Sequence, residues 1–289
     1  MKRIPIMAFV LMAGQTFAQQ RLNNASFMHA PESVATDNNS YYIADIGEGA
    51  NPTKKDGNGI IFRMNKKGDH QVLATGLDAP KGAFILHHTL FVADIDKVKG
   101  YDITSGAQLY NIDLAPATAF LNDIAAINDS TLVVSATDVN KLFLVHLGKN
   151  PRAEELVYTN PIKGTNGVVF DARSKKLYVC GFGSDNTPSG QIGYIDMNAA
   201  QKVFTPLTNR LGYYDGIALT DHHTQLIISD WVAFEKKGVL LKLDLASGRV
   251  ITLNEELIAG PADFTLDAAG NAIVPAMLEA NVLKYTISK

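Results

Sequence analysis

Apolar residues in this chain come in short bursts of four to six, separated by polar turns rich in Asp, Asn, Gly and Ser, and the bursts return in a fixed order. A first run opens each unit: Pro31-Glu32-Ser33-Val34-Ala35, Pro80-Lys81-Gly82-Ala83-Phe84, Leu121-Asn122-Asp123-Ile124-Ala125, Thr165-Asn166-Gly167-Val168-Val169, Tyr214-Asp215-Gly216-Ile217-Ala218 and Pro261-Ala262-Asp263-Phe264-Thr265. A second, more strongly apolar run follows, as in Tyr41-Tyr42-Ile43-Ala44-Asp45 and Leu226-Ile227-Ile228-Ser229-Asp230. A third comes next, as in Leu142-Phe143-Leu144-Val145, and turns such as Thr104-Ser105-Gly106 lead into a fourth. The short length, the β-branched content and the bounding turns predict strands. No segment has the period of an amphipathic helix.

The opening run recurs at spacings of about 41 to 49 residues, and four strands per unit of that length predict an all-β, six-bladed β-propeller with four-stranded blades. The last unit reaches Lys289 just after its third strand, while residues 20–30 precede the first inner strand and belong to no unit. They are expected to supply the missing outer strand and close the ring, which would remove two open sheet edges. No Pro/Gly/Ser-rich linker interrupts the repeat, so residues 19–289 are read as a single domain.

Residues 1–18 have the form of an export signal: Lys2 and Arg3, an apolar stretch over residues 4–13, then Thr16-Phe17-Ala18 with small residues where a signal peptidase reads. The stretch is well short of the roughly 20 residues a membrane span requires. Cleavage before Gln19 and a periplasmic or secreted location are expected. The chain carries 26 basic and 29 acidic residues, a formal charge of −3 that becomes more negative once Lys2 and Arg3 are removed. Such a balance argues against nucleic acid and anionic membrane as partners and leaves a small-molecule substrate as the expected one. The single cysteine, Cys180, lies in an apolar run, cannot form an internal disulfide and reads as a buried small side chain.

In a propeller the first strand of every blade lines the axis, so residues at equal phase face one another. At one such position stand Glu32, Asn122, Asn166 and Asp215, two carboxylates and two amides. Hard oxygen donors of this kind suit one divalent cation, Ca²⁺ foremost, with Mg²⁺ or Mn²⁺ as alternatives. Asn-Gly and Asp-Gly also mark turns, but turn signals have no reason to keep the phase of the repeat. Asp123 competes with Asn122 for the inward position. The loops 46–58, 95–99, 137–140, 182–189, 231–237 and 276–280 should crowd the same mouth. Lys81, at the equivalent position of the second unit, Trp231 and Asp263 are candidate substrate-binding residues. Asp45, Asp94 and Asp230 end second strands and read chiefly as caps. No nucleophile elbow, phosphate loop or paired metal-ligand histidines occur.

The Glu of the first unit, Asn-Asp of the third, Asn-Gly of the fourth and Asp-Gly of the fifth resemble the regucalcin/gluconolactonase-like six-bladed propellers, over the whole chain after residue 18. That resemblance implies a metal-dependent hydrolase. Glu32, Asn166 and Asp215, with Asn122 as a looser partner, would hold the cation that polarises a lactone or ester carbonyl, and Asp215 would act catalytically in activating water. The sugar-reading positions differ: Phe120 stands where the family's sugar lactonases carry an Arg, and Ser33-Val34-Ala35 replaces the Gly-Pro and Trp that follow the first Glu. The competing expectation is a non-catalytic propeller that binds a ligand or partner protein around a structural metal.

Overall fold

A computed structural model describes residues 19–22 and 27–287; the expected export signal lies outside them. The described chain forms six antiparallel sheets, one per unit, arranged as a six-bladed β-propeller. Blade 1 runs Pro31–Thr36, Ser40–Asp45, Gly59–Asn65 and His70–Leu77, from the axis outwards. The next four blades repeat this order with inner strands Pro80–Leu86, Leu121–Asn128, Thr165–Asp171 and Tyr214–Leu219. Among the described residues the one helical element is a 3₁₀ turn, Met277–Glu279, and no helix is long and apolar enough to cross a membrane.

Blade 6 is a composite, as the strand count predicted. Its inner strand is Thr265–Leu266, followed by Asn271–Ala276 and Asn281–Thr286, and its outer strand is Gln19–Arg21 from the other end of the chain. Gln19 pairs with Tyr285, Gln20 with Lys284 and Arg21 with Leu283. The pairing satisfies the edge of Asn281–Thr286 and ties the first described residues to the last blade.

Burial follows the order of the strands. Second strands such as Ser40–Asp45 and Thr131–Ala136 are buried along their whole length, which is why their sequences read as continuous apolar runs. Outer strands such as Arg152–Glu155 are mostly exposed and polar. Each pair of neighbouring blades encloses its own apolar core. Ala44, Ile61, Val92 and Tyr101 fill the space between blades 1 and 2, and Val34, Ile43, Phe62, Ile273 and Val282 fill the space between blades 6 and 1. The ring is therefore closed by packing as well as by the terminal strand pairing.

One departure from regular pairing recurs. In blades 1 to 5 the register between inner and second strands slips at the second and third positions of the opening run, between Pro31 and Ser33, Pro80 and Ala83, Leu121 and Ile124, Thr165 and Val168, and Tyr214 and Ile217. This is a β-bulge, which places two residues against one and re-aims their side chains.

Candidate functional site

The bulge gives the axis two successive rings. The first contains Glu32, Lys81, Asn122, Asn166, Asp215 and Ala262, and the five polar members are all buried. The second contains Ser33, Gly82, Asp123, Gly167, Gly216 and Asp263. Its side chains reach sideways to the next inner strand. The Asp123 carboxylate accepts from the Val168 N–H at 2.7 Å and Ser33 Oγ accepts from the Ala83 N–H at 3.0 Å. Ser33 Oγ in turn donates to Asp263 Oδ2, linking blades 1 and 6.

The glycines of this second ring are there because the neighbouring strand is too close for a side chain. A Cβ on Gly167 would meet Asp215 O at 2.4 Å, and one on Gly82 would meet Asn122 O at 2.4 Å. Asn166-Gly167 and Asp215-Gly216 are therefore strand residues, and the glycine serves close approach of backbone to backbone.

Four oxygens of the first ring, Glu32 Oε2, Asn122 Oδ1, Asn166 Oδ1 and Asp215 Oδ1, are buried without a hydrogen-bond partner. Buried polar atoms are nearly always paired, so four orphans at one level of one axis identify a place built for something else. Their neighbours hold them in this state. Thr137 Oγ1 donates its only proton to Thr165 O at 2.8 Å, so it can only accept from Asn122 Nδ2, 3.3 Å away, and the amide must turn its oxygen to the other side. Trp231 Nε1 donates to Asp215 Oδ2 at 2.8 Å, which leaves Oδ1 free.

Charge at the axis is unbalanced. Burial, then the negative charge of Asp215, pushes Glu32 well above the usual carboxylate range, with Lys81 pulling in the opposite direction. Asp215 is pushed up to about 7 by burial and then by Asp263, against the hydrogen bonds from Trp231 and Asn166. Burial takes Asp263 to about 7 as well. These carboxylates are strained towards protonation because no sufficient positive charge lies among them. Lys81, the one cation of the ring, is pulled down to about 8 by burial.

Among the described residues no three His, Cys, Asp or Glu side chains are grouped as metal ligands. The first ring instead offers two carboxylates with two amides. A divalent cation fits this donor set: hard oxygens, unsatisfied and surplus in negative charge.

The remaining candidates fall in three different places. Lys81 Nζ donates to Pro52 O at 2.8 Å and Ala79 O at 3.1 Å and sits 4.4 Å over the Phe120 ring, so it clamps mouth loop 46–58 from beneath. Asp263 lines, with Asp123, the acidic end of a cavity of about 290 Å³ on the other side of the first ring, walled by residues such as Val34, Phe84, Ile124 and Ile217. It faces away from the mouth loops, because the bulge assigns third-position residues to the second ring. Trp231 is a positioning donor to Asp215 and also part of an aromatic group with Phe182, Tyr213 and Phe234.

Asp45, Asp94 and Asp230 secure the entries to inner strands. Each accepts backbone N–H bonds from the segment leading in, from His29 and Ala30, from Asp78 and Ala79, and from Tyr213 respectively. Asp138 serves blade 3 in a related way, accepting from the Ala119 N–H and from the Thr118 hydroxyl. Sequence reading missed the roles of Thr137 and Ser33. Both act through single hydroxyls whose partners are distant in the chain, and no local pattern marks them.

No protein-family model matches the chain, and neither does any curated protein sequence. Solved structures do. A gluconolactonase of Xanthomonas campestris superposes with a TM-score of 0.70 at 11% identity, covering 94% of this chain and 90% of that one. A luciferin-regenerating enzyme gives 0.67 at 14% identity over 94% and 95% of the two chains. A streptogramin B lyase gives 0.63 at 12% identity over 94% and 98%. At identities this low the likeness shows the fold alone.

Proposed function

We propose that this chain is an exported hydrolase of lactones or carboxylic esters that depends on one divalent cation, Ca²⁺ foremost, and that it belongs with the regucalcin/gluconolactonase-like propellers. The observation that carries the reading is the set of four partnerless buried oxygens at one level of the axis, on Glu32, Asn122, Asn166 and Asp215. These residues would hold the cation, which supplies Lewis-acid polarisation of the carbonyl.

The chain's own groups supply the rest. Asp215 has its two oxygens in different roles: Oδ2 is anchored by the Trp231 indole, and Oδ1 is open to the axis, where the proton of an attacking water can be received. Thr137 and Trp231 keep the donor atoms aimed without being donors to substrate themselves, so the site is organised before anything binds. Lys81 contributes positive charge beside Glu32 and holds Pro52 of the longest mouth loop. Phe120 covers the Lys81 ammonium, and a substrate with few hydroxyl groups is expected at this mouth.

A panel of simple γ- and δ-lactones and aryl esters, assayed with Ca²⁺ and with chelator, tests the proposal. Turnover should require the cation and fall at least a hundredfold in Asp215→Ala. Unchanged turnover in that variant, or calorimetry showing no divalent-ion binding that Glu32→Gln abolishes, would sink it.

A further inference from the structure

The mouth carries ion pairs on both sides but aromatic rings in numbers on only one. Over blades 1 and 2 it is ionic: Lys54 pairs with Asp56 at 3.1 Å, Lys97 with Asp96 at 3.1 Å, and Lys55 also reaches Asp96. Over blades 4 to 6 it carries the pairs Lys236 with Glu279 at 2.8 Å and Lys237 with Glu235 at 3.0 Å and, beside them, a group of aromatic rings. Phe182 lies 5.2 Å from Tyr213, 5.7 Å from Trp231 and 6.0 Å from Phe234, ring centre to ring centre. Phe234 closes the group at 5.8 Å from Trp231 and 5.4 Å from Tyr213. The indole is wedged against Gly260, where a Cβ would meet Trp231 Cη2 at 3.0 Å and Leu278 Cγ at 2.9 Å.

These rings do not belong to the inter-blade cores. None of them contributes to the apolar clusters between blades 4 and 5 or between blades 5 and 6, and they sit above the strands on segments that border the mouth. Their outer members remain in water: Phe234 is 55% exposed and Leu278 50%. Exposed apolar surface held in a fixed arrangement at a site's rim is characteristic of a ligand contact. The inner member leads directly to the chemistry, since Trp231 carries the hydrogen bond to Asp215.

We infer that this wall, formed by Phe182, Trp231, Phe234 and Leu278, binds an apolar arm of the substrate. The substrate class is therefore a lactone or ester bearing an alkyl or aryl substituent, rather than a polyhydroxylated one. The inference rests on the hydrolase reading for the position of the carbonyl, but the wall itself is a binding surface that can be measured without turnover. The arm lies on Phe234 and Leu278, and the carbonyl points to the ring of oxygens beneath Trp231.

The test uses γ-lactones whose alkyl substituent grows from methyl to heptyl, with the calcium-loaded protein. Calorimetry gives the affinities, and the emission of Trp231, the chain's one tryptophan, reports where the ligand sits. Affinity should rise by roughly two- to fourfold per methylene over the first several carbons, with a shift in Trp231 emission. The exposed substitutions Phe234→Ser and Leu278→Ser should flatten that dependence while leaving the circular dichroism and the melting temperature intact. Affinity independent of chain length in the wild type overturns the inference, and so does a dependence that the double variant retains. Sedimentation supplies a further check. A dimer that Phe234→Ser dissociates, together with no binding of the heptyl lactone, would show that a second copy covers the wall, and would also overturn it. Failure of the hydrolase reading looks different: chain-length-dependent binding without hydrolysis leaves the wall in place and removes the reaction.

Discussion

Asp215→Asn should make the cation-free protein more stable, although it removes a residue of the proposed site. An Asp carboxyl in the unfolded chain titrates near 3.8, whereas folded Asp215 is pushed up to about 7 by burial and by Asp263. Between those values the native state binds more protons than the unfolded one, so stability falls as pH rises through this window and stays reduced above it. A gap of about 3 pKa units at 1.36 kcal/mol each amounts to about 4 kcal/mol at pH 8. Asp263 is raised alongside it, so the figure describes the interacting pair and is not counted twice. Asn cannot ionise and still offers an oxygen to Trp231 Nε1. In chelator at pH 8 the variant should therefore melt higher than the wild type by about 5 °C or more, and at pH 4 the two should converge. Saturating Ca²⁺ should reverse the order, because binding to the native state stabilises the wild type and little of that gain is left to the variant. Scanning calorimetry from pH 4 to 8, with chelator and with Ca²⁺, reads all of this. A variant that melts below the wild type at pH 8 in chelator would show that ionised Asp215 does not destabilise the cation-free fold.

Gly167→Ala would drive a methyl group into Asp215 O at 2.4 Å, and should cost about 1–3 kcal/mol in urea unfolding and weaken cation binding through the displaced neighbour. Removing residues up to Leu22 takes away the pairing of Gln19–Arg21 with Asn281–Thr286. The melting temperature should drop and the exposed edge should promote association, detectable by light scattering. Cys180 is buried, and burial pushes its thiol well above the usual range. It should be silent to a thiol reagent such as dithionitrobenzoate in the native protein and react stoichiometrically in guanidinium; fast native labelling would contradict the closed core. Trp231→Phe keeps a ring in the aromatic group but removes the donor to Asp215, so kcat for a lactone substrate should fall more than KM changes.

Much of this molecule was legible before any coordinates. The repeat of apolar runs determined six blades, because each run must bury one face of a strand and a unit of four strands cannot do so alone. The unfinished last unit pointed to closure by the start of the propeller chain, expected from residues 20–30 and formed by Gln19–Arg21. The phase of the opening run singled out Glu32, Lys81, Asn122, Asn166 and Asp215, since equal phase in a radial repeat means equal height on the axis. What periodicity could not decide was the orientation of adjacent residues. A regular strand sends Asn122 and Asp123 to opposite faces, but the bulge between Leu121 and Ile124 gives both a place near the axis, one in each ring. For the same reason Asp263 lies in the second ring, and the close backbone contacts at Gly167 and Gly216 show only in the folded chain. The hydroxyl of Thr137, the indole of Trp231 and the exposed ring of Phe234 gained their roles only in the folded chain. Thr137 donates to Thr165 of the next blade, Trp231 reaches back to Asp215 on the inner strand of its own blade, and Phe234 meets Phe182 of blade 4, contacts between residues well apart in the chain that leave no mark in local sequence.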